Sequence, residues 1–537
     1  MVCSMNIDTA QLPSDVAELK SIIVDLTQRE AFHKEIQHEH ECEIEQLKQQ
    51  INLLQHRLFG RKSEKLSGNV GSGQLLLFNE AEQEKSEEPP ADRIEVPAHS
   101  KRRGKRRPLP ADIARVEVIH DIGEEEKQCA CGAVKSQIGQ VESEQLDIVP
   151  PQYNVIKNIR LKYACKQCEG TEADEPAVSI APMPEQLLPK SIATPGLIAY
   201  IITSKYADAL PLYRQEKIFE RLGVELKRQT MASWVIKVAQ KCMLMVELMC
   251  REIRSGPLVQ IDETGVQVLE EPGREATTKS YMWVFRGGDP AKPALMYQYH
   301  PTRSGDVAKE FLGDYTGYVQ TDGYVGYKFI DDLPGVKHLG CWAHVRRKFF
   351  EVVKARGKGK KAKKKGRAEE ALEYITSLYA IEHSAKDRNL DPDQVYALRQ
   401  KKAGPLLEKF REWLDETALI TPPGGLLGTA ISYTLNQWER LTVYLKDGRL
   451  LPDNNQIENA IRPFVVGRKN WMFSATTDGA HASAALYSLI ETAKANGLEP
   501  YWYLRFLFDR LSSARTTEDY KALLPQYADK TKIGILA

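Results

Sequence analysis

Apolar residues recur at alternating steps of three and four along residues 15–58. Val16, Ile23, Ile44, Ile51 and Leu58 occupy one heptad position, and Leu19, Leu26, Leu47 and Leu54 the other. That spacing predicts a long helix with one apolar seam, a coiled coil over 15–66 suited to pairing with a second copy. Glu30, His33, Gln37 and His40 interrupt the seam, so the coil is strong at its ends and weak at its centre. From Leu66 to Ala98 the chain turns rich in Gly, Ser, Glu and Pro, with little to bury, and residues 67–110 read as a linker. It closes on a basic arm, Lys101-Arg102-Arg103-Gly104-Lys105-Arg106-Arg107-Pro108, kept extended by its Gly and Pro. Arg103, Lys105 and Arg106 are candidates to follow DNA phosphates or a minor groove.

Two stretches of strand character follow, Val116–His120 and Val155–Tyr163, within a small β segment over 111–180. Residues 190–252 turn helical, and a short Gly-containing turn precedes Lys227-Arg228-Gln229-Thr230. This is the outline of a helix-turn-helix whose last helix offers Arg228 to a DNA groove. The pattern then switches to period two. Leu258–Ile261, Tyr281–Phe285, Ala294–Tyr299 and Tyr318–Thr321 read as strands, with a helix at Val307–Leu312 between the third and fourth. A fifth apolar stretch, Val336–Leu339, leads into a basic amphipathic helix from Cys341. Three strands, a helix, then alternating strand and helix is the order of a ribonuclease-H-like α/β sheet, in which the first and fourth strands are neighbours. Residues 356–449 read as a helical insertion between 255–355 and 450–495, and 496–537 as a C-terminal helical region. The fold class is therefore multidomain α+β.

Composition narrows the partners little. Lys and Arg number 74 against 73 Asp and Glu, so total charge does not advertise nucleic acid, whereas the clustering of basic residues does. The longest apolar runs are too short to span a bilayer, and no secretory pattern opens the chain. Four of the nine cysteines form two close pairs, Cys129/Cys131 and Cys165/Cys168. Each pair offers two thiolates, the donor set of one structural Zn2+ in a reducing compartment. The first pair is one residue shorter than the usual C-x2-C, which leaves the ligation at Cys129 and Cys131 open.

The chemistry concentrates in three acids. Asp262 follows the apolar Val259-Gln260-Ile261, Asp322 follows Val319-Gln320-Thr321, and Glu458 sits in Asn454-Asn455-Gln456-Ile457-Glu458-Asn459 at a helix start. Carboxylates are the oxygen ligands that hard divalent cations take, and three of them suit a two-cation centre for phosphodiester chemistry. The strand order brings Asp262 and Asp322 together, and the helix after the insertion gives Glu458 a route to them. Glu263 rivals Asp262, but alternation along a strand turns the two to opposite faces, so only one serves. Arg462, Arg468 and Lys469 lie beyond Glu458, placed for DNA phosphates or for surface ion pairs.

At these motifs the chain resembles the large transposase of the bacterial insertion sequence 66 family. The matching residues run from Leu58-Phe59-Gly60-Arg61-Lys62-Ser63-Glu64-Lys65-Leu66 through the cysteine pairs, Lys205-Tyr206-Ala207-Asp208 and Pro211-Leu212-Tyr213-Arg214. They continue through Asp262-Glu263-Thr264, Thr321-Asp322-Gly323-Tyr324, Cys341-Trp342-Ala343-His344, Asn455 to Pro463, and Gly467-Arg468-Lys469-Asn470-Trp471. The resemblance implies a zinc-finger segment and a DDE catalytic domain using two Mg2+ or Mn2+ ions on Asp262, Asp322 and Glu458. It implies cleavage and strand transfer at the inverted-repeat ends of a mobile element and into target DNA, by a cytoplasmic, nucleoid-associated homo-oligomer that works with accessory proteins of the same element. A nuclease that cuts without joining, and a non-catalytic DNA-binding derivative, are the alternatives. Cys341 and His344 resemble a C-x-x-H element that follows the second acid in several DDE transposases. No further zinc partners are visible for them, and packing beside the site is expected.

Overall fold

The sheet-forming part of the chain is dictated by alternation, the rest by helical stripes. A computed structural model describes residues 15–59, 154–164, 178–182, 185–355 and 365–533. Helix α1 (Val16–Phe59) is continuous. Seven residues of its heptad seam, Val16, Ile23, Leu26, Ile44, Leu47, Ile51 and Leu54, are 50–63 % exposed, so the described residues do not cover the seam. The arm with Arg103, Lys105 and Arg106, and all four paired cysteines, lie outside the described residues.

Strand β1 (Lys162–Ala164) pairs antiparallel with β2 (Val178–Ile180). The predicted strand Val155–Tyr163 is corrected here, because only its last residues pair. Val155 to Leu161 are exposed and irregular with no partner strand among the described residues, and alternation alone does not supply a ladder of backbone hydrogen bonds. Helices α2 (Pro195–Tyr206), α3 (Leu212–Arg221), α4 (Arg228–Lys241) and α5 (Met243–Ser255) follow. The first starts cleanly because Thr194 Oγ1 accepts from Leu197 N and Pro195 fills the first turn.

A mixed sheet then forms from β3 (Leu258–Glu270), β4 (Lys279–Asp289) and β5 (Lys292–His300), helix α6 (Gly305–Leu312), β6 (Gly317–Gln320) and β7 (Val336–Leu339). The strand order is β5-β4-β3-β6-β7, with β3, β6 and β7 parallel. The first and fourth strands of this sheet are thus neighbours, as the order of elements predicts. One expectation changes. Asp262 does not end its strand, because β3 continues to Glu270 against β4 while its parallel pairing with β6 stops at Gln260 and Gln320.

Helix α7 (Trp342–Ala355) leaves the sheet for a second core. There α8 (Arg367–Asp387), α10 (Gly404–Leu419), α11 (Leu426–Asn436) and α12 (Trp438–Thr442) gather around Trp342, Phe349, Ile375, Phe410, Leu414 and Ile431, while α9 (Pro392–Leu398) buries no residue. The chain returns through α13 (Asn455–Trp471) and β8 (Ser474–Thr476), the latter pairing with the far end of β3. Helices α14 (Thr477–Ala495), α15 (Pro500–Leu511) and α16 (Thr517–Leu523) complete the first core, which they share with α2–α5 and the sheet. Helix α14 also seals the sheet edge. Ser488 Oγ and Thr492 Oγ1 accept the backbone N–H groups of Tyr297 and Leu295 on β5 at 2.8 and 2.9 Å. An otherwise open edge strand is closed by side-chain hydroxyls.

Candidate metal centre

Register is the first determinant of the site. Gln260 and Gln320 are directly opposed on β3 and β6, and each lies two residues before an aspartate. Both are fully buried, and Gln260 Nε2 donates to Gln320 Oε1 at 2.8 Å. Gln320 Nε2 in turn donates to the carbonyl of Leu451 at 3.0 Å, on the segment returning from the insertion. Arg286 Nη1 donates to Gln260 Oε1 at 3.0 Å from β4. A buried polar chain therefore runs from β4 through β3 and β6 to the approach of α13. It sets Asp262 and Asp322 side by side and anchors the segment that carries Glu458.

Each acid is held locally by its own motif. Asp262 Oδ1 accepts Glu263 N, and Asp322 Oδ1 accepts Tyr324 N, both at 2.9 Å. Gly323 is required by close approach, since a Cβ there would run into the ring of Tyr433 from α11. The insertion thus closes down on the loop after β6. Glu458 sits in the first turn of α13, whose start is tied to α7: Trp342 N donates to Pro452 O at 2.9 Å, and the Cys341 thiol donates to Asn454 Oδ1 at 2.9 Å.

A second latch is Arg399, 1 % exposed in a π-helical turn after α9. Its guanidinium meets Glu382 at 2.6 Å and donates to the carbonyls of Tyr444, Asp447 and Leu450 at 2.8 to 2.9 Å. These bonds turn the insertion back toward the sheet.

Burial pushes the Asp262 carboxyl well above the ordinary carboxylate range, and the like charges of Glu263, Asp322 and Glu458 add to it. Glu458 is also raised by burial, against the opposing fields of Arg347 and Arg462. A divalent cation bound beside these carboxyls would relieve the repulsion. Glu263 is raised by burial too, yet both its oxygens are taken: Arg303 Nε donates to Oε1 at 2.6 Å and the Tyr327 hydroxyl donates to Oε2. The Arg303 guanidinium lies 3.8 Å from the centre of the Tyr324 ring. Thr264 returns to the face of Asp262, where its hydroxyl accepts from Arg468 at 3.3 Å.

The donor set fits divalent cations. Besides the raised acids, Glu458 Oε1 and His344 Nδ1 are buried atoms without a hydrogen-bond partner, 3.8 Å apart. Burial, with Arg347 beside it, pushes His344 down to about 4, so its imidazole is neutral near pH 7. Cys341, His344 and Glu458 bring one donor atom each within 4.8 Å of one another.

Arg462 sits one turn after Glu458 and Arg468 further along α13, both half-buried, whereas Lys469 is exposed. Arg228 is exposed at the start of α4. Trp471 is half-buried, with its ring 5.5 Å from Phe464 and Lys205 lying 5.5 Å over it. Sequence reasoning missed the Gln260–Gln320 pair, Arg347 and Arg399. The repeated Gln-x-Asp of Gln260-Ile261-Asp262 and Gln320-Thr321-Asp322 was the available signal for the first. Arg347 follows His344 by three positions, which puts both on one helical face.

Comparison with known proteins matches four stretches of the chain. The family described as "Transposase IS66 family" matches residues 190–482, and its "C-terminal element" residues 488–526. The "zinc-finger binding domain of transposase IS66" matches 126–169, and "Transposase C of IS166 homeodomain" matches 46–118. Among relatives, the uncharacterized protein y4jD of Sinorhizobium fredii (strain NBRC 101917 / NGR234) is 32 % identical over 553 residues, covering 99 % of each chain. The uncharacterized proteins y4qI and y4hP of the same strain are 30 % and 28 % identical, covering 99 % and 89 % of this chain and 100 % and 88 % of their own.

Proposed function

The chain belongs to the IS66 transposase family, and from that premise we propose that it cleaves and joins DNA at the ends of a mobile element, using Asp262, Asp322 and Glu458. The observation that supports this reading is the parallel pairing of β3 with β6, which puts Asp262 and Asp322 just beyond directly opposed glutamines, with the like charges of Asp322 and Glu458 both acting on the buried Asp262 carboxyl. The mixed strand order supports a ribonuclease-H-like catalytic domain. Asp262, Asp322 and Glu458 would hold two Mg2+ or Mn2+ ions. Bound there, such ions supply charge neutralisation and alignment for in-line displacement at a phosphodiester.

The remaining work falls to the chain's own groups. The Gln260–Gln320 pair keeps the two aspartates level, and the Cys341–Asn454 contact keeps α13 docked. Arg347 and Arg462 bring positive charge beside Glu458, and Arg468 beside Thr264, where they suit DNA phosphates. Water attacks the phosphodiester at the element end in the first step and expels a 3′-hydroxyl; that hydroxyl attacks a target phosphodiester in the second and expels the target's own 3′-oxygen, so no covalent protein intermediate forms. Arg228, Lys469 and the arm at Arg103, Lys105 and Arg106 extend the DNA path. Cys129, Cys131, Cys165 and Cys168 hold one structural Zn2+. The exposed seam of α1 supports homo-oligomerisation through the coil. Accessory proteins of the element and a nucleoid location follow from the same reading. No helix among the described residues is long and apolar enough to cross a membrane.

The test incubates purified protein with Mg2+ or Mn2+ and labelled element ends, and reads nicking at the 3′ ends and strand-transfer products. Asp322→Asn should lower both by at least about a hundredfold, the scale of losing one preorganised electrostatic group. Full activity in that variant would remove Asp322 from the site. Hydrolysis without joining would make the enzyme a nuclease.

A further inference from the structure

Two buried atoms in the centre face each other, one from α7 and one from α13. His344 Nδ1 and Glu458 Oε1 are 3.8 Å apart, both shielded from water and both without a hydrogen-bond partner. Neither arrangement of protons satisfies them at that separation, which is too long for a direct hydrogen bond. An ion about 2.1 Å from each atom spans it.

The third donor nearby is already occupied. The Cys341 thiol donates to Asn454 Oδ1 at 2.9 Å and accepts from Asn454 N at 3.5 Å, so it serves as a latch between α7 and α13. The other oxygen of Glu458 faces Arg347 Nη2 at 3.7 Å. The carboxylate therefore turns one oxygen to a guanidinium and the other to an imidazole.

The positions of both residues are fixed by backbone contacts, because Trp342 N bonds to Pro452 O and holds the start of α7 against the approach to α13. His344 lies on that first turn of α7 and Glu458 on the first turn of α13.

We propose that His344 is a ligand of the catalytic centre, sharing one divalent cation with Glu458, and that its nitrogen donor makes the centre prefer Mn2+ to Mg2+. The inference rests on the carboxylate centre proposed above and extends its ligand set from three acids to three acids and a histidine. The preference follows from donor chemistry. Mg2+ takes oxygen ligands and keeps its waters, whereas Mn2+ accepts an imidazole more readily. The alternative occupant of the gap is a water molecule bridging the two side chains, which would leave His344 a positioning residue with no bond to the metal.

Electron spin-echo spectroscopy of Mn2+ bound to the full-length protein separates the two. Direct ligation gives 14N modulation from an imidazole in the wild type, replaced by the 15N pattern when only histidine is 15N-labelled. His344→Gln should remove the modulation, weaken Mn2+ binding by about tenfold or more, and change Mg2+ binding by less than about threefold.

Tight Mn2+ binding that Asp262→Asn abolishes, with no nitrogen modulation in the wild type, would overturn the assignment of His344 and leave the carboxylate centre standing. Mn2+ binding unchanged by both Asp262→Asn and Asp322→Asn would overturn the centre itself and this proposal with it. Should His344→Gln fail to fold, the labelled wild type still decides.

Discussion

Replacing Gln320 with leucine probes the link between fold and site most directly. Gln320 is fully buried, and its amide joins three elements: it accepts from Gln260 Nε2 at 2.8 Å and donates to Leu451 O at 3.0 Å. Leucine fills nearly the same volume and makes neither bond. The substitution strands the Gln260 amide donor and the carbonyls of Leu451 and Gly340, at about 1–3 kcal/mol each. Better burial of an apolar side chain returns about 1 kcal/mol. The net loss is about 2–8 kcal/mol, and a body of this size has an unfolding entropy of roughly 0.7 kcal/mol/K, so the melting temperature should fall by about 3–11 °C. Differential scanning fluorimetry on metal-free, full-length protein measures it, with Lys309→Ala on the exposed side of α6 as a control expected within about 0.5 kcal/mol of wild type. Well below the melting temperature, DNA nicking should still drop by at least about tenfold, because the segment delivering Glu458 loses its anchor and small misplacements are costly to catalysis. A Gln320→Leu protein that melts within about 1 °C of wild type and nicks normally would refute the role given to the glutamine pair.

Other consequences can be read from the same framework. Arg399→Met strands Glu382 and three carbonyls in the second core, and should cost about 3–5 kcal/mol, visible as a lower melting temperature that Arg399→Lys does not rescue. Asp262 and Glu458 have raised folded pKa values, so between the unfolded value near about 4 and the folded value the native state binds more protons than the unfolded chain. Metal-free protein therefore loses stability from these groups as pH rises through that window. Asp262→Asn should melt higher than wild type in chelator at pH 7.5 and show little gain at pH 4.5, and equal melting at both would contradict the buried-repulsion account. Leu47→Glu places a charge on the exposed seam of α1; the proposed pairing through this helix predicts oligomers for the wild type and monomers for the variant by light scattering, with the melting transition of the sheet-bearing body unmoved.

The insertion explains why distance along the chain misleads here. Glu458 lies far from Asp322 in sequence, yet every turn of its return is tied: Arg399 to three carbonyls, Gln320 to Leu451, Trp342 to Pro452, and Cys341 to Asn454. The same insertion places Tyr433 over Gly323, so it also forms part of the wall around the acids.

Local pattern by itself determined the long helix α1, the succession of three strands, helix and strand, and the three acids with their flanks. Periodicity and residue type carry those features, and both are written along the chain. Strand order followed too, because short connections leave few ways to arrange consecutive strands. Tertiary structure alone decided the rest. That Glu263 is consumed by Arg303 and Tyr327 depends on residues 40 and 64 positions away. That Val155 to Leu161 stay irregular depends on the want of a partner strand among the described residues, which no alternation encodes. The pairing of Gln260 with Gln320, and the facing of His344 and Glu458 across 3.8 Å, exist only because parallel register and helix docking bring distant groups into one low-dielectric space. There an unpartnered polar atom is costly, so its partner, whether side chain or cation, is fixed by geometry and not by neighbours in sequence.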